Sequence, residues 1–377
     1  MAVTNDLVTD QRVHRSCTAL HEAGYEVTLV GRLLPSSAPV SRQYRTVRMR
    51  LLFRRSAAFY AEYNVRLFFR MLFARADGFY ANDTDTLPAA FLAARIRRKP
   101  LFFDAHELFP EVPELADRPR IKRFWERIEE MFLPPMSHRK DMAAATVCQS
   151  IADIYRRRYG LQMAVVRNVP MDDDSHPSDG ASLPTGLPRG KHILLYQGAV
   201  NVGRGLEPVI DAMPMLRDCH LLVAGVGDRY DALRARAAGC DNITFLGRLE
   251  PSLLHTLTRQ AHLGLSLLEN RGLNYYYSLP NRIADFAKAR VPVLATDFPE
   301  IRRVVAGYGI GTLVDAAIPP GDLAGVIRST LQHWSSMPTD EKERVFARAA
   351  ADLNWENDKK TLLNAVGTIF EQNRRYK

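Results

Sequence analysis

Cysteine is scarce: the 377 residues include four, at Cys17, Cys148, Cys219 and Cys240. None lies in a Cys-x-x-Cys pair or a Cys/His cluster. That excludes a thiolate metal site of this type and leaves reduced thiols as the expectation. Long apolar runs are missing as well. No stretch of about 18 uncharged apolar residues occurs, so no membrane-spanning helix is expected. The N-terminus lacks a basic segment followed by an apolar one, so no signal peptide is expected. The sequon Asn242-Ile243-Thr244 then carries no weight. These absences point to the cytoplasm.

Charge imbalance is absent from one half of the chain and concentrated in the other. Residues 1–168 hold 27 of the 51 Lys+Arg and 18 of the 42 Asp+Glu, so the whole net charge of +9 lies there. This half is expected to meet something anionic. Hydrophobic residues make up 46% and charged residues 25%, as in a folded protein, and the length favours two α/β domains.

What is present is an alternation of short apolar strands and helices. Strands are expected at 2–4, 25–30, 78–81, 101–103, 145–147 and 164–166, with a helix over 11–23 that stops at Gly24. Residues 171–190 carry Asp172-Asp173-Asp174 and several Pro and Gly without periodicity, which reads as a linker. The pattern restarts with strands at 192–196, 219–224, 243–245, 263–267, 293–295 and 311–314. Helices are expected at 207–216, 229–238, 252–260 and 279–288. Alternating strands and helices predict parallel sheets covered on both faces. The expected domains are residues 1–170 and 191–354, with a C-terminal helix over 355–377 crossing back to the first. Two such blocks would leave a cleft between them, with ligands at the carboxyl ends of the strands.

The residues after the strands carry the chemistry. Ser278, Asn281 and Arg282 stand at the start of a helix, where free N–H groups, the dipole and a guanidinium suit a phosphate. Asp285, three residues on, could accept hydrogen bonds from two ribose hydroxyls. The alternative is a capped helix with an Arg282–Asp285 ion pair. Gly198, Arg204, Gly225 and Gly247 follow other strands of this half. In the first half, the strand at 101–103 delivers His106 and Glu107. Asn82, Asp83 and Asp85 follow the strand at 78–81, where the two aspartates could hold hydroxyls or cap the next helix. Asp6 and Asp10 follow the first strand.

These segments resemble the family 4 retaining glycosyltransferases. Pro280-Asn281-Arg282 with Asp285 is similar to the family's Pro-Asn-Lys-x-x-Glu signature. Gly198 with Gly203-Arg204-Gly205 resembles its phosphate-gripping loop, with Ala199 where the family commonly has arginine. Ala224-Gly225-Val226-Gly227-Asp228 and Phe245-Leu246-Gly247 resemble two further turns. A glutamate common eight residues before the ribose carboxylate is Tyr277 here. In the first half, Asp104-Ala105-His106-Glu107 resembles the family's Asp-x-His-(Asp/Glu) segment, and Asn82–Leu87 the loop before it.

The resemblance implies an α/β chain of GT-B type, with two Rossmann-like domains whose parallel sheets face a central cleft. It implies a nucleotide-sugar donor, UDP- or GDP-linked, bound as substrate by Gly198, Arg204, Gly225, Gly247, Ser278, Asn281, Arg282 and Asp285. His106 and Glu107 would be catalytic, and Asp6, Asp10, Asn82, Asp83 and Asp85 would hold a glycan or lipid-linked acceptor. It implies retention by same-face attack, no metal and no other cofactor. Closing of the domains would exclude water. Two rivals stay open: a sugar-nucleotide epimerase of the same fold, and a non-catalytic membrane-bound scaffold.

Residues 48–75 and 118–133 mix arginines with large apolar side chains. Phe59, Tyr63, Leu67 and Phe69 recur near helical spacing. The readings are a helix packed on the core, contact with an anionic membrane, or contact with nucleic acid. The resemblance favours the membrane and gives nucleic acid no role.

Overall fold

Two all-parallel sheets, of seven and six strands, organise the computed structural model, which describes residues 1–8, 10–171 and 190–375. They belong to two units: Met1–Asn168 with Asp358–Lys377, and Val169–Asn357. Residues 172–189, most of the expected linker, lie outside the described residues.

The first unit runs β1 (Ala2–Asp6), α1 (Gln11–Glu22), β2 (Thr28–Leu33), β3 (Arg45–Arg50), α2 (Ser56–Phe73), β4 (Phe79–Asn82), α3 (Leu87–Arg97), β5 (Leu101–Ala105), α4 (Pro113–Ala116), α5 (Pro119–Ser137), β6 (Met142–Thr146), α6 (Gln149–Tyr159) and β7 (Ala164–Val165). The sheet order is β3-β2-β1-β4-β5-β6-β7. The central strands β4 and β5 are buried along their whole length, as expected of parallel strands covered on both faces.

Sequence pattern misses β3, Arg-Thr-Val-Arg-Met-Arg, because arginine interrupts its alternation. It forms through six matched residue pairs with β2, at the edge of the sheet. In α2 the buried positions are Phe59, Tyr63, Leu67 and Met71, so Met71 and not Phe69 completes the inward stripe; Phe69 is 52% exposed.

The second unit runs β8 (His192–Gln197), α7 (Leu206–Ala212), β9 (Cys219–Ala224), α8 (Tyr230–Arg236), β10 (Ile243–Gly247), α9 (Pro251–Arg259), β11 (Leu263–Ser266), α10 (Leu273–Tyr276), α11 (Asn281–Lys288), β12 (Val293–Thr296), α12 (Pro299–Tyr308), β13 (Gly311–Val314), α13 (Pro320–Ser336) and α14 (Thr339–Asp352). Its sheet order is β10-β9-β8-β11-β12-β13. The sequon residue Asn242 is buried and donates to the carbonyls of Met213 and Leu216. A last helix, α15 (Trp355–Arg375), begins in this unit, and from Asp358 its residues belong to the first. There Asp358 pairs with Arg167 at 3.0 Å, and Phe370 meets Tyr25 edge-on at 5.5 Å.

Both strand orders reverse direction once, between β1 and β4 and between β8 and β11. Open parallel sheets hold ligands beyond the carboxyl ends of the strands at such points.

Candidate functional site

The first unit gathers a buried charge cluster beyond β1, β4 and β5. Arg12 on α1 donates from Nη2 to Asp104 Oδ1 at 2.7 Å and from Nη1 to the Val166 carbonyl at 2.7 Å. Tyr80 donates its hydroxyl to Asp104 Oδ2 at 2.8 Å. His106 stands with Nδ1 3.3 Å from Asp83 Oδ2 and Nε2 3.3 Å from Asp104 Oδ2, the second pair out of line for a hydrogen bond. Its backbone N–H donates to Asp83 Oδ1 at 2.8 Å. Asp104 is fully buried. Burial would raise its pKa, but Arg12 and His106 outweigh that and hold it well below the usual carboxylate range. Burial would likewise lower His106, yet Asp83 and Asp104 lift it to about 9.

The sign of this shift gives a stability prediction. A histidine whose folded pKa is raised contributes stability that is whole below its ordinary value of 6.5 and lost as pH rises through about 9. Melting temperature is expected to fall over that window, and His106→Gln to flatten this part of the fall. An equally steep fall in the variant would remove His106 as the cause.

The other carboxylates and amides of this unit are mostly tied down. Asp10 caps α1, accepting from the Val13 N–H at 3.1 Å, and also takes Asn5 Nδ2 at 3.1 Å. Asp6 accepts from Ser37 at 2.5 Å and lies 3.9 Å from Arg48. Asn82 is buried outright and donates to the Ala2 carbonyl at 2.8 Å, so its side chain points into the sheet. Asp85 is also inward, under Thr4, and burial with Asp83 nearby lifts its pKa to about 8. Neither Asn82 nor Asp85 presents its side chain to solvent, which departs from the expectation that they touch an acceptor. Buried Glu129 accepts from Thr84, Tyr155 and Tyr159 at 2.8, 3.2 and 2.9 Å.

In the second unit the reversal point is built around Gly198, Arg282 and Asp285. Arg282, in the first turn of α11, is 8% exposed and lies over the Tyr196 ring at 4.3 Å. Its Nη1 is buried without a hydrogen-bond partner. A Cβ on Gly198, whose φ is +117°, would stand 3.4 Å from Arg282 Nη2, so glycine lets the guanidinium come close to the end of β8. Asp285 is set by a chain in which Thr258 donates to Gln197 at 2.8 Å and Gln197 donates to Asp285 at 3.1 Å. Arg204 lies over the Tyr275 ring at 4.8 Å, with its Nε buried and unpartnered. Ser278 donates to the Tyr275 carbonyl at 2.9 Å, while Asn281 opens α11 and is exposed. Gly225 donates to the Gly247 carbonyl at 2.7 Å, joining two of the expected turns.

Arg12, Asp104, Gln197 and Thr258 were not singled out as site residues by sequence. Asp104 heads the Asp-x-His segment and could have been read from it. Arg12 meets it across 92 residues, which leaves no local signal. Among the described residues no group of three or more His, Cys, Asp or Glu gathers to hold a metal ion, and no helix is long and apolar enough to cross a membrane.

Residues 10–170 match the model of Glycosyltransferase Family 4, and residues 191–333 that of Glycosyl transferases group 1. The chain belongs to the family 4 glycosyltransferases. Its fold is GT-B, two Rossmann-like domains. Solved structures agree on that fold. Sucrose-phosphate synthase from Thermosynechococcus elongatus is 18% identical, with a TM-score of 0.74 over 97% of this chain and 93% of that one. HepE from Anabaena, solved with UDP-glucose, is 13% identical with a TM-score of 0.71 over 97% and 98%. WaaG, a glycosyltransferase involved in lipopolysaccharide biosynthesis, is 15% identical with a TM-score of 0.64 over 97% and 98%. No curated protein matches the glycosyltransferase by sequence.

The glycosyltransferase also carries a basic, apolar surface on its first unit. On α2, Val65, Phe69 and Phe73 are exposed at four-residue spacing, opposite the buried Tyr63, Leu67 and Met71, with exposed Arg66 and Arg70 beside them. On α5, Ile121, Phe124 and Met131 are exposed among Arg120, Arg123 and Arg127, while Trp125, Phe132 and Leu133 turn inward.

Proposed function

We propose that this glycosyltransferase moves a sugar, with retention, from a UDP- or GDP-sugar to a glycan or lipid-linked acceptor in bacterial cell-surface polysaccharide assembly. The observation that carries the donor half is Arg282. A guanidinium that is nine-tenths buried with an unpartnered Nη1 is costly in the free protein and is matched by an anion such as a diphosphate. Arg204, Ser278 and Asn281 join it on the phosphates, and Asp285, steadied by Gln197, takes the ribose hydroxyls. Gly198, Gly225 and Gly247 let the backbone approach the nucleotide.

In the transfer, the bond from the anomeric carbon to the diphosphate oxygen breaks and the acceptor oxygen bonds on the same face. The acceptor's proton passes to the departing diphosphate oxygen. Arg282 and Arg204 stabilise the charge that develops there, and no metal is required. Asp6 and Asp10 hold acceptor hydroxyls. His106 faces the transferred sugar near its anomeric carbon, Asp83 acts through it, Glu107 flanks it, and Asn82 and Asp85 support the loop from inside.

Calorimetry with UDP and GDP tests the donor half. Binding of one nucleotide at micromolar to sub-millimolar concentration is expected, and no binding of either would sink the reading.

We further propose that the enzyme works at the inner, cytoplasmic face of the membrane, on an anionic lipid surface met by residues 48–75 and 118–133. Large apolar side chains among arginines suit such a surface, and all of the net positive charge lies in residues 1–168. The whole protein is expected to co-float with vesicles of anionic phospholipid at low salt, and Phe69→Ser with Phe73→Ser to reduce this at least about fivefold. Failure of the unaltered protein to float would remove the membrane from the reading.

A further inference from the structure

A neutral imidazole carries one N–H and one lone pair, so it can serve a carboxylate at one nitrogen only. Both nitrogens of His106 face a carboxylate oxygen at 3.3 Å, Asp83 on the Nδ1 side and Asp104 on the Nε2 side. A neutral ring would turn its lone pair toward one of them. An imidazolium presents Nδ1–H to Asp83 and its positive charge to Asp104, which its Nε2 approaches without a hydrogen bond.

We propose that Asp104, held by Arg12, acts with Asp83 as a pair of positioning residues that keep His106 an imidazolium of fixed orientation, so that it serves transfer as a cation and not as the base for the acceptor's proton. The place of His106 in transfer rests on the proposed function; the clamp is a property of the free protein.

Each carboxylate is itself constrained. Asp104 is bound on Oδ1 by Arg12 and on Oδ2 by Tyr80, which favours its ionised form. Asp83 holds His106 twice, through the ring and through the backbone N–H; burial raises its pKa, and His106 works against that rise. Arg12 comes from α1, Asp83 and Asp85 from the end of β4, and Asp104 from β5. Asp10 acts on Asp83, and Glu107 on Asp85. Even with Asp85, lifted to about 8, left uncharged at neutral pH, the acids in this set outnumber the one arginine, which favours a charged ring; the lift of His106 to about 9 agrees with the geometry. A histidine already protonated at neutral pH cannot take the acceptor's proton, which in a same-face transfer goes to the departing diphosphate oxygen.

Asp83 offers a clean variant. Its φ of 58° is in the left-handed region, which asparagine tolerates, so Asp83→Asn removes the charge and keeps the backbone. The experiment is NMR of the whole protein with labelled histidine, from about pH 6 to about pH 10, with the His106 signal identified by its loss in His106→Gln. His106 is expected to stay an imidazolium to about pH 9. Asp83→Asn and Asp104→Asn should each lower its proton affinity about tenfold or more, and Asp104→Glu should restore most of it. A His106 midpoint near the ordinary histidine value, or a midpoint unmoved in both Asn variants, overturns the proposal. Should Asp104→Asn fail to fold, the unaltered protein and Asp83→Asn decide it. UDP and GDP calorimetry on the same samples separates the two readings: a clamped His106 in a protein that binds neither nucleotide leaves the clamp standing and removes the donor assignment.

Discussion

Arg282→Met is expected to raise the melting temperature of the free protein while removing its affinity for nucleoside diphosphates. The two effects have opposite signs because one group causes both. Arg282 is buried, stacked on Tyr196 at 4.3 Å, and leaves Nη1 without a hydrogen bond. Replacing a buried, under-paired charge by an apolar side chain of similar length is often worth about 1–4 kcal/mol. Loss of the cation–π contact costs about 0.5–2 kcal/mol, part of which the methionine sulfur replaces on the same ring. At the centres of these ranges the net change for the free protein is stabilising, by about 1 kcal/mol. With diphosphate bound, the balance reverses. Two charge-assisted hydrogen bonds to phosphate, at about 1.5–3 kcal/mol each, correspond to an affinity loss of about a hundredfold or more. Melting curves with and without UDP or GDP read both quantities together. A variant that melts lower and still binds as tightly would show that Arg282 is a structural side chain.

Gly225→Ala should be the most damaging single methyl group in the second unit. A Cβ there would stand 1.8 Å from the Gly198 carbonyl oxygen, and φ is +149°. The obstacle is backbone, so no side-chain rotation relieves it. Neighbouring bonds pin both sides: Gly198 N–H to the Ala224 carbonyl at 2.9 Å, and Gly225 N–H to the Gly247 carbonyl at 2.7 Å. The end of β8 has to part from β9, with a loss of about 3–5 kcal/mol. Nucleotide affinity should fall too, since Gly198 lies against Arg282. Gly247→Ala is the control. It also has positive φ, +66°, but its nearest obstacle is the Tyr230 hydroxyl at 3.8 Å, so only the left-handed penalty of about 1–2 kcal/mol applies. Equal melting temperatures for the two variants would contradict this.

These two glycines show how far local reading goes. A Gly-x-Gly turn after a strand is visible in sequence, but the 1.8 Å approach of a Cβ at Gly225 depends on the neighbouring strand end. The same division runs through the fold. β9 and β13 form at the residues their apolar pattern indicates, Cys219–Ala224 and Gly311–Val314. β3 was illegible because its pattern is broken by arginines and it is held by pairing with β2 alone. Helix α10, four residues and so barely one turn, offers no repeat to read.

By itself the sequence determined the alternation of strands and helices, the family, and the loops that carry the candidate residues. Apolar period and turn chemistry act within a few residues of one another, so one-dimensional pattern is enough for them. Only the tertiary structure decided which polar groups are buried and how they are paired. It turned Asn82 and Asp85 inward, made Asp10 a helix cap, left Arg282 buried with an unpartnered nitrogen, and set His106 between two carboxylates. Burial and electrostatic pairing create those differences. The partners are far apart in the chain, 23 residues for Asp83 and His106, 88 for Gln197 and Asp285, and 92 for Arg12 and Asp104, and meet only when the parallel strands align their carboxyl ends.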